Sequence, residues 1–302
     1  MDKYAEPYSG QTVLITGGSG SFGSALCQYL KQYACHKVIV YSRDWLKQKK
    51  LREALGDPDN YRFFIGDIRD KTRLVRAMDG VDIVIHAAAI KDLPACENDP
   101  AEAMQTNIVG TQNVIDACIE ANAERCLFIS SDKAVAPCNA YGISKAMGES
   151  LWLNGNKYTG RRRTIFNVVR YGNVCGSSGS VIPLFDQMVR DGATSLPVTD
   201  PAMTRFHFTM EQVMEFVSET LKSGFFERGK IYTPELPSIH ITDICKAYGL
   251  PYRITGIRAG EKIHETMGNH RPDGTLIDSG NNERFLSVEE LKESMRNVGC
   301  KV

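Results

Sequence analysis

Residues 12–23 read Thr-Val-Leu-Ile-Thr-Gly-Gly-Ser-Gly-Ser-Phe-Gly, an apolar β-branched run followed by closely spaced glycines. Gly17 or Gly18 permits a tight turn, and Gly20 leaves the backbone open to a phosphate group. Gly23 lets the helix that follows pack closely on the strand. The first turn of that helix offers free N–H groups and the positive end of its dipole, which stabilise phosphate. Alone, such glycines also fit a plain turn, so the flanking pattern decides.

The chain beyond this turn alternates short apolar runs with longer segments of helical spacing. The predicted strands are Thr12–Thr16, Lys37–Tyr41, Tyr61–Ile65, Asp82–His86, Arg125–Ser130 and Thr164–Arg170. The clearest helical segments are Ser21–Tyr33 and Ala101–Ala121. This alternation predicts an α/β fold, a Rossmann doubly wound parallel sheet with helices on both faces. In that setting the glycine turn predicts a bound dinucleotide, with contacts from Gly17, Ser19, Gly20, Ser21, Phe22 and Gly23.

The rhythm changes after about residue 172, where glycine, serine and proline become frequent. We predict that residues 1–172 form the dinucleotide-binding domain and that residues 173–302 form a smaller, discontinuous substrate lobe. Within that lobe, residues 204–232 are expected to pack back on the first domain through a helix at Glu211–Leu221. The polar stretch from Gly268 to Asn282 is predicted to be a mobile loop.

Composition excludes several function classes. Among the 302 residues, 36 Lys and Arg balance 36 Asp and Glu, so net charge favours neither nucleic acid nor an anionic membrane. The nine cysteines form no C-x-x-C pair, so we expect reduced thiols and no metal site. The longest uncharged apolar run, Val84–Ile90, is too short to span a bilayer, and the polar first residues do not form a signal peptide. A cytoplasmic protein is expected.

The end of the second strand indicates which dinucleotide binds. An acidic residue there would accept the ribose hydroxyls of NAD, whereas a cation accommodates the 2′-phosphate of NADP. The chain reads Ser42-Arg43-Asp44, with Lys47 close behind. Ser42 can donate to a phosphate oxygen, and Arg43 and Lys47 can neutralise it. Asp44 falls one residue late and is predicted to cap the next helix. NADP is therefore favoured.

Two further strand ends are predicted to contact the cofactor. Asp67 and Ile68 follow the third strand, where the carboxylate could meet the adenine amine. The small residues Ala87, Ala88 and Ala89 follow the fourth strand and let the backbone lie against the cofactor. His86, which precedes them, is interpreted as a hydrogen-bonded core histidine.

Tyr141 and Lys145 stand at positions i and i+4 of a predicted helix and so share one face. An ammonium near a phenol favours the phenolate, and so does a cationic nicotinamide ring. The pKa of Tyr141 is therefore expected to fall toward working pH, so that it can take the proton of an alcohol undergoing oxidation.

Ser131, Asp132 and Lys133 end the fifth strand. A simple alcohol dehydrogenase or epimerase needs only a hydroxyl beside the tyrosine. A carboxyl and an amine aimed at the same pocket could together protonate a leaving hydroxyl and remove a neighbouring C–H proton. Lys133 must be neutral for that task, so we expect its pKa to be lowered. The alternative is a solvent-exposed ion pair.

On these residues the chain resembles the extended short-chain dehydrogenases/reductases, and within them the UDP-N-acetylglucosamine 4,6-dehydratases (5-inverting) that open the pseudaminic acid pathway. The resemblance covers roughly residues 10–265. Its distinctive stretches are Thr12–Gly23, Tyr41–Asp44, Ala89–Glu97, Thr106–Asn113, Ser131–Lys133, Arg170–Val174, Met203–Phe206 and Gly256–Lys262. The resemblance also implies a UDP-sugar substrate and a homo-oligomer.

The resemblance implies a role for each matched residue. Lys133 would be the base at sugar C5 and Asp132 the acid for the departing 6-hydroxyl, with Tyr141 and Lys145 as the oxidation pair. Contacts to cofactor or substrate are implied for Lys91, Thr106, Asn173, Val174, Ser178, Val181, Arg205 and Arg258. The two arginines would bind the UDP diphosphate. One departure is Gly176–Ser180, where Ser178 replaces the family's usual arginine.

Two other functions remain open at this point. A UDP-sugar 4-epimerase would share the glycine turn, Tyr141 and Lys145, but would have no evident use for Asp132 and Lys133. A non-catalytic NADP sensor could use the same fold, although a sensor need not keep both members of the tyrosine–lysine pair.

Overall fold

The computed structural model describes residues 6–177, 179–223, 227–258 and 260–302. The strands are β1 (Thr12–Thr16), β2 (Lys37–Ser42), β3 (Tyr61–Ile65), β4 (Ile83–His86), β5 (Arg125–Ser131), β6 (Ile165–Tyr171), β7 (Asn173–Val174), β8 (Leu196–Val198), β9 (Thr204–Phe208), β10 (Ile231–Tyr232), β11 (Ser238–His240), β12 (Tyr252–Ile254), β13 (Thr266–His270) and β14 (Leu276–Asp278). The α-helices are α1 (Ser21–Leu30), α2 (Trp45–Leu55), α3 (Lys71–Met78), α4 (Leu93–Asn98), α5 (Pro100–Met104), α6 (Gly110–Ala121), α7 (Ala140–Asn154), α8 (Val181–Arg190), α9 (Met210–Ser223), α10 (Ile241–Ala247) and α11 (Val288–Asn297). A π-helical turn spans Gln105–Val109, and short 3₁₀ turns span Asp132–Ala134 and Gly155–Lys157.

The main sheet has seven parallel strands in the order β10-β6-β5-β4-β1-β2-β3. Leaving aside the edge strand β10, this is the 3-2-1-4-5-6 order of a dinucleotide-binding sheet. Strand β1 is buried along its whole length, as its continuous apolar sequence predicts for a strand covered on both faces. The predicted α/β Rossmann fold is confirmed, and the predicted strand ends agree to within one residue.

Helices cover both faces of this sheet. On one face, α1 and α2 pack with α9, whose Val213, Val217 and Leu221 are buried in the same hydrophobic cluster as Leu26. On the other face, α3, α6 and α7 bury a second cluster that includes Phe128 and Trp152. The opposed apolar stripes of these helices therefore hold the strand ends in fixed positions.

A third cluster lies outside the main sheet. It joins α8, α10 and α11 with β8, and its buried members include Phe185, Ile244, Leu291 and Met295. Beside it, β9 pairs in parallel with β7 and antiparallel with β11. This smaller unit draws on segments from Cys175 to the end of the chain. The division of the chain at residues 172 and 173 stays a prediction.

Three predicted elements differ from the structure. The helix predicted for Ser21–Tyr33 ends at Leu30. The helix predicted for Ala101–Ala121 starts at Pro100 and is interrupted by the π-helical turn. The stretch predicted as a mobile loop at Gly268–Asn282 carries the β13–β14 hairpin instead. The hydroxyl of Thr266 donates to the carbonyl of Ile277, and the Asp278 carboxylate accepts from two backbone N–H groups of the next turn. Polar side chains thus build this hairpin, which an apolar pattern could not reveal.

None of the helices in the described part of the chain is long and apolar enough to cross a membrane.

Candidate active site

The glycine turn between β1 and α1 has the geometry that a dinucleotide needs. Gly17 has a φ of +68°, and a Cβ on it would lie 2.8 Å from the backbone of Ala88. A Cβ on Gly23 would lie 2.5 Å from the Cα of Gly18, so close packing of α1 on the turn requires glycine there. A Cβ on Gly20 would meet only the carbonyl oxygen of Gly17, at 3.2 Å. Gly20 therefore leaves the first turn of α1 accessible to a phosphate.

The end of β2 contacts this turn directly. The Ser19 hydroxyl donates to the Ser42 hydroxyl at 2.8 Å, and the Gln48 amide donates to the same oxygen at 2.9 Å. Asp44 caps α2 by accepting from the backbone N–H of Lys47 at 3.0 Å, as predicted. Its carboxylate is therefore committed to the helix start. Arg43 is half exposed and remains accessible to a ligand.

Asp67, which follows β3, is paired with arginine. Its carboxylate lies 2.7 Å from Nη2 of Arg69 and 3.6 Å from Nη1 of Arg43. Burial acts to raise the pKa of this carboxyl, but the hydrogen bonds from Arg69 outweigh it and the pKa is lowered. Ile68 is buried beneath the pair. The Asp67 carboxylate is thus ionised and paired with Arg43, the residue predicted to contact the cofactor phosphate.

His86 is the core histidine that the sequence predicted. Its ring is fully buried and stacks on Phe128 and Trp152. Because the Thr111 hydroxyl donates to a backbone carbonyl, it accepts from Nε2 of His86 at 2.9 Å, and Nδ1 then accepts from Thr16 at 2.6 Å. Burial, and the nearby Lys145 ammonium, hold the pKa of His86 well below its usual value. The ring is neutral and structural.

The small residues after His86 leave the backbone close to the glycine turn. The N–H of Ala88 donates to Thr16 at 3.3 Å, next to Gly17. Ala87, Ala88 and Ala89 are partly buried. This segment therefore forms one wall beside the predicted dinucleotide site.

Asp132 and Lys133 form a buried ion pair at the end of β5. The Asp132 carboxyl is fully buried, and its Oδ1 accepts from the Ser131 hydroxyl at 2.9 Å and from Nζ of Lys133 at 3.0 Å. Its Oδ2 has no hydrogen-bond partner among the described residues. The solvent-exposed alternative for this pair is wrong.

Lys133 is held as a cation. Its Nζ donates to Oδ1 of Asn173 at 3.3 Å and lies 3.5 Å from Oε1 of Glu265. Burial acts to lower the pKa of Lys133, but the carboxylates of Asp132 and Glu265 outweigh it and the pKa is raised. The expected lowering of this pKa is therefore wrong, because the carboxylates of two acidic residues lie beside the ammonium.

Tyr141 and Lys145 lie on α7, which Asn139 caps by accepting from the backbone N–H of Gly142 at 2.7 Å. Nζ of Lys145 donates to the Ile129 carbonyl at 2.7 Å and sits 3.8 Å above the Phe128 ring. Burial lowers the pKa of Lys145 to about 7. This side chain is therefore anchored to β5 at the foot of the site.

The phenol of Tyr141 belongs electrostatically to the Asp132–Lys133 pair. Burial raises the pKa of Tyr141 to about 12, while Lys133 and a hydrogen bond with Ser131 act to lower it. The expected fall toward working pH is wrong, because burial dominates and Lys145 is directed at the Ile129 carbonyl. Phenol, carboxyl and amine nevertheless belong to one cluster, with Asp132 fully buried and Lys133 and Tyr141 half-buried.

Glu265 and Lys262 are site residues that the sequence did not single out. Glu265 is buried, and Nζ of Lys262 lies 3.6 Å from its Oε2 while donating to the Val135 carbonyl at 2.7 Å. Both residues reach the catalytic loop from more than a hundred residues away. The only available signal was a pair of charges, one at the end of the matched Gly256–Lys262 stretch and one three residues later, which is typical of any exposed loop.

The two arginines implied to bind diphosphate differ in their surroundings. Arg205 is buried and donates to the backbone carbonyls of Thr204, Ile263 and Lys262 at 2.6, 3.0 and 3.0 Å. Its guanidinium therefore ties the 262–263 segment to β9. Arg258 is exposed in the loop after β12.

The remaining residues implied by the resemblance lie on several elements. Thr106 lies in the π-helical turn, and its buried hydroxyl finds no partner in the described part of the structure. Lys91 is exposed after β4, and partial desolvation lowers its pKa. Val174 follows Asn173 in β7, and Val181 begins α8. Ser178 lies outside the described residues.

Known proteins share this sequence pattern. The sequence model of the polysaccharide biosynthesis protein family matches residues 13–281. The UDP-N-acetylglucosamine 4,6-dehydratase (inverting) of Campylobacter jejuni is 46% identical over 266 residues, covering 86% of this chain and 78% of that protein. The UDP-glucose 4-epimerase of Rickettsia akari is 39% identical over 267 residues, covering 85% and 77%.

Solved structures share the fold. Pen from Bacillus thuringiensis superposes with a TM-score of 0.88 at 32% identity, covering 96% of this chain and 98% of that one. DesIV, a dTDP-glucose 4,6-dehydratase from Streptomyces venezuelae solved with NAD, gives a TM-score of 0.79 at 21% identity, covering 94% and 96%. The predicted resemblance to dehydratases of the extended short-chain dehydrogenase/reductase type is confirmed. This chain belongs to the polysaccharide biosynthesis protein family.

Proposed function

We propose that this protein is an NADP-dependent UDP-N-acetylglucosamine 4,6-dehydratase that inverts C5, a hydro-lyase. The observation that carries the proposal is the buried Asp132–Lys133 pair, with 3.0 Å between Nζ and Oδ1, beside the phenol of Tyr141. An alcohol oxidation needs only the phenol, whereas removal of water needs an acid and a base as well. The C. jejuni relative supports the same reaction.

The glycine turn fits a dinucleotide. The backbone contact between Gly17 and Ala88, and the open side of Gly20, leave room for a pyrophosphate at the first turn of α1. Ser42, Arg43 and Lys47 would meet the 2′-phosphate of NADP. Asp44 caps α2, and the Asp67 carboxylate, 3.6 Å from Arg43, lies closer to Arg69 at 2.7 Å. When bound, the nicotinamide supplies a hydride acceptor for C4 and later a hydride donor for C6.

Each protein group then has one task. Tyr141 accepts the proton of the 4-hydroxyl as C4 becomes a ketone, and the ketone acidifies the C5–H bond. Lys133 removes the C5 proton, Asp132 protonates the departing C6 oxygen, and water leaves. C5 regains a proton at the end, and its configuration inverts if that proton arrives from the opposite face. The product is a UDP-2-acetamido-2,6-dideoxy-hexos-4-ulose.

The substrate contacts are proposed on the resemblance. Lys91, Asn173, Ser178 and Val181 would line the sugar side. Arg258, which is exposed, is suited to neutralise the diphosphate directly. Arg205 would act there through the 262–263 segment that it anchors.

We infer further, on the resemblance, a cytoplasmic homo-oligomer that supplies pseudaminic acid synthesis. Residues 1–172 with 204–232 would hold the cofactor, and residues 173–302 the sugar. Ile143 and Met147 expose apolar surface on α7, which supports self-association. Light scattering on the purified protein would report the oligomer.

The test is product analysis after incubation with UDP-N-acetylglucosamine and NADP⁺ in deuterated water. We expect a product lighter by one water, with solvent deuterium at C5. A product of unchanged mass would favour the 4-epimerase reading, which the R. akari relative supports. No product at all, with a Tyr141→Phe variant indistinguishable from the unaltered protein, would favour a sensor.

A further inference from the structure

Glu265 lies against the proposed base but has no task in the reaction described above. Its carboxylate is buried, with Oε1 at 3.5 Å from Nζ of Lys133 and Oε2 at 3.6 Å from Nζ of Lys262. The backbone of Glu265 is fixed by Ser279, whose hydroxyl accepts from its N–H at 3.0 Å and whose N–H donates to its carbonyl at 2.7 Å. A rigid segment therefore holds this carboxylate in place.

The groups facing Lys133 come from several elements. Asp132 approaches from the end of β5, Asn173 from β7, and Glu265 from the segment before β13. The positive charge of Arg205 on β9 repels the Lys133 ammonium. Tyr141 on α7 interacts with both Asp132 and Lys133. Glu265 is thus the second carboxylate in contact with the ammonium.

A second carboxylate affects how firmly the Asp132–Lys133 pair holds its proton. Elimination needs a neutral amine on Lys133 and a protonated carboxyl on Asp132. Transfer of one proton across their 3.0 Å contact converts the resting ion pair into that neutral pair. The ion pair and the neutral pair each hold one shared proton, so a change of pH does not convert one form into the other. Activity is lost at high pH when the pair gives up this proton, because no acid then remains.

We propose that Glu265 is a positioning residue that helps Asp132 and Lys133 to retain the proton they share. The acid–base pair therefore stays protonated at alkaline pH. This inference rests on the proposed dehydratase function. A negative charge at 3.5 Å stabilises the protonated pair electrostatically without touching the substrate carbons. Lys262 weakens that effect, because it neutralises the other oxygen of the same carboxylate.

The test is the pH profile of dehydration by Glu265→Gln, which keeps the side-chain volume and the backbone bonds to Ser279. We expect the alkaline limb of kcat to move down by about one pH unit, since an opposite charge at this distance shifts a pKa by roughly one to three units. A rate that falls evenly at every pH, with the limb unmoved, would overturn the proposal.

Lys262→Gln is the matched variant of opposite sign. The ammonium beside Oε2 is then gone and Glu265 acts on Lys133 alone, so the alkaline limb should move up. If Glu265→Gln does not fold, this variant decides, and a limb that stays or moves down would overturn the proposal. Failure of the dehydratase function is seen separately, because the unaltered protein would then release no water.

Discussion

The glycine turn and the ion cluster around Lys133 lie at the same edge of the sheet, yet they are held in different ways. The turn is fixed by its near neighbours, since Gly17, Gly18 and Gly23 touch one another or the adjacent strand ends. The ion cluster is assembled from β5, β7 and the 262–265 segment. The glycine turn, or cofactor half, is held by steric fit between neighbouring residues. The ion cluster, or catalytic half, is held by charge interactions between residues that are distant in sequence.

The largest effect should come from breaking the catalytic half alone. Lys133→Met removes the base, and we expect dehydration to slow by about 10²–10⁴-fold. C4 oxidation should persist, because Tyr141 and Lys145 are untouched, so reduced nicotinamide should accumulate and be visible in its near-ultraviolet absorbance. Tyr141→Phe is the control and should show neither signal. Normal dehydration by Lys133→Met would show that the two halves do not divide the work this way.

A largely buried ion pair links α7 to β6 and β13. Arg170 donates to Glu149 on α7 at 3.0 and 2.5 Å and to the Met267 carbonyl on β13 at 2.7 Å. Arg170→Met takes the cation away from the buried Glu149 carboxylate, which keeps the hydrogen bond from the Ser130 hydroxyl, so the free energy of unfolding should fall by about 3–5 kcal/mol. Urea denaturation measures this change.

Two controls sharpen that result. Lys230→Met breaks a solvent-exposed pair with Glu227 and should leave the free energy of unfolding almost unchanged. Adding Glu149→Leu to Arg170→Met should recover much of the loss, because the stranded charge is removed. Equal costs for Arg170→Met and Lys230→Met would show that the link carries no special load.

In the cofactor half, Gly17→Ala should weaken NADP binding by about 10- to 100-fold, since strain at positive φ costs roughly 1–3 kcal/mol and the new methyl meets Ala88. Titration calorimetry measures the affinity. Gly56→Ala is the matched control, because Gly56 has a φ of +80° at the end of α2 with no atom near a Cβ. It should lose stability and keep its affinity.

Acid should lower the free energy of unfolding through two buried histidines, His86 on β4 and His207 on β9. Burial holds the pKa of His86 well below 6.5 and that of His207 at about 4. The unfolded chain therefore binds protons first, and stability falls as pH drops below about 6.5, by about 1.4 kcal/mol per pH unit for each ring. Denaturation midpoints between about pH 7 and pH 5 test this, and His207→Gln should remove one ring's share of the slope. An unchanged slope would contradict it.

The same contrast explains what could be predicted from sequence. The strands, the glycine turn and the Asp44 cap follow from periodicity, steric rules and capping preferences that act within a few residues. The burial of Asp132 and Lys133 was a hypothesis, and their contact with Tyr141 depends on α7 packing onto β5.

Glu265, Lys262 and the Arg170–Glu149 link could not be predicted. Each joins residues that are distant in sequence, and a charged residue in a polar stretch is usually solvated. The raised pKa of Lys133 was missed for the same reason, because Glu265 reaches it from 132 positions further along the chain.

The π-helical turn at Gln105–Val109 carries one extra residue in the helical run that leads into α6. An α-helix rotates by about 100° per residue, so in an ordinary helix that residue would swing the following helix face by that angle. Within the turn, the Asn107 side chain hydrogen-bonds to the backbone of Ile90 and to the hydroxyl of Ser144. Beyond it, Thr111 meets His86.

Asn107 and Thr111 still share one face, and the Thr111 hydroxyl donates to the Asn107 carbonyl at 2.7 Å, because the wide turn absorbs the extra residue locally. Deleting one residue inside the turn would restore ordinary helix geometry and leave α6 in place against the sheet. Its effect would fall on the turn itself, where Asn107 holds Ile90 and Ser144 and where the buried Thr106 hydroxyl lies.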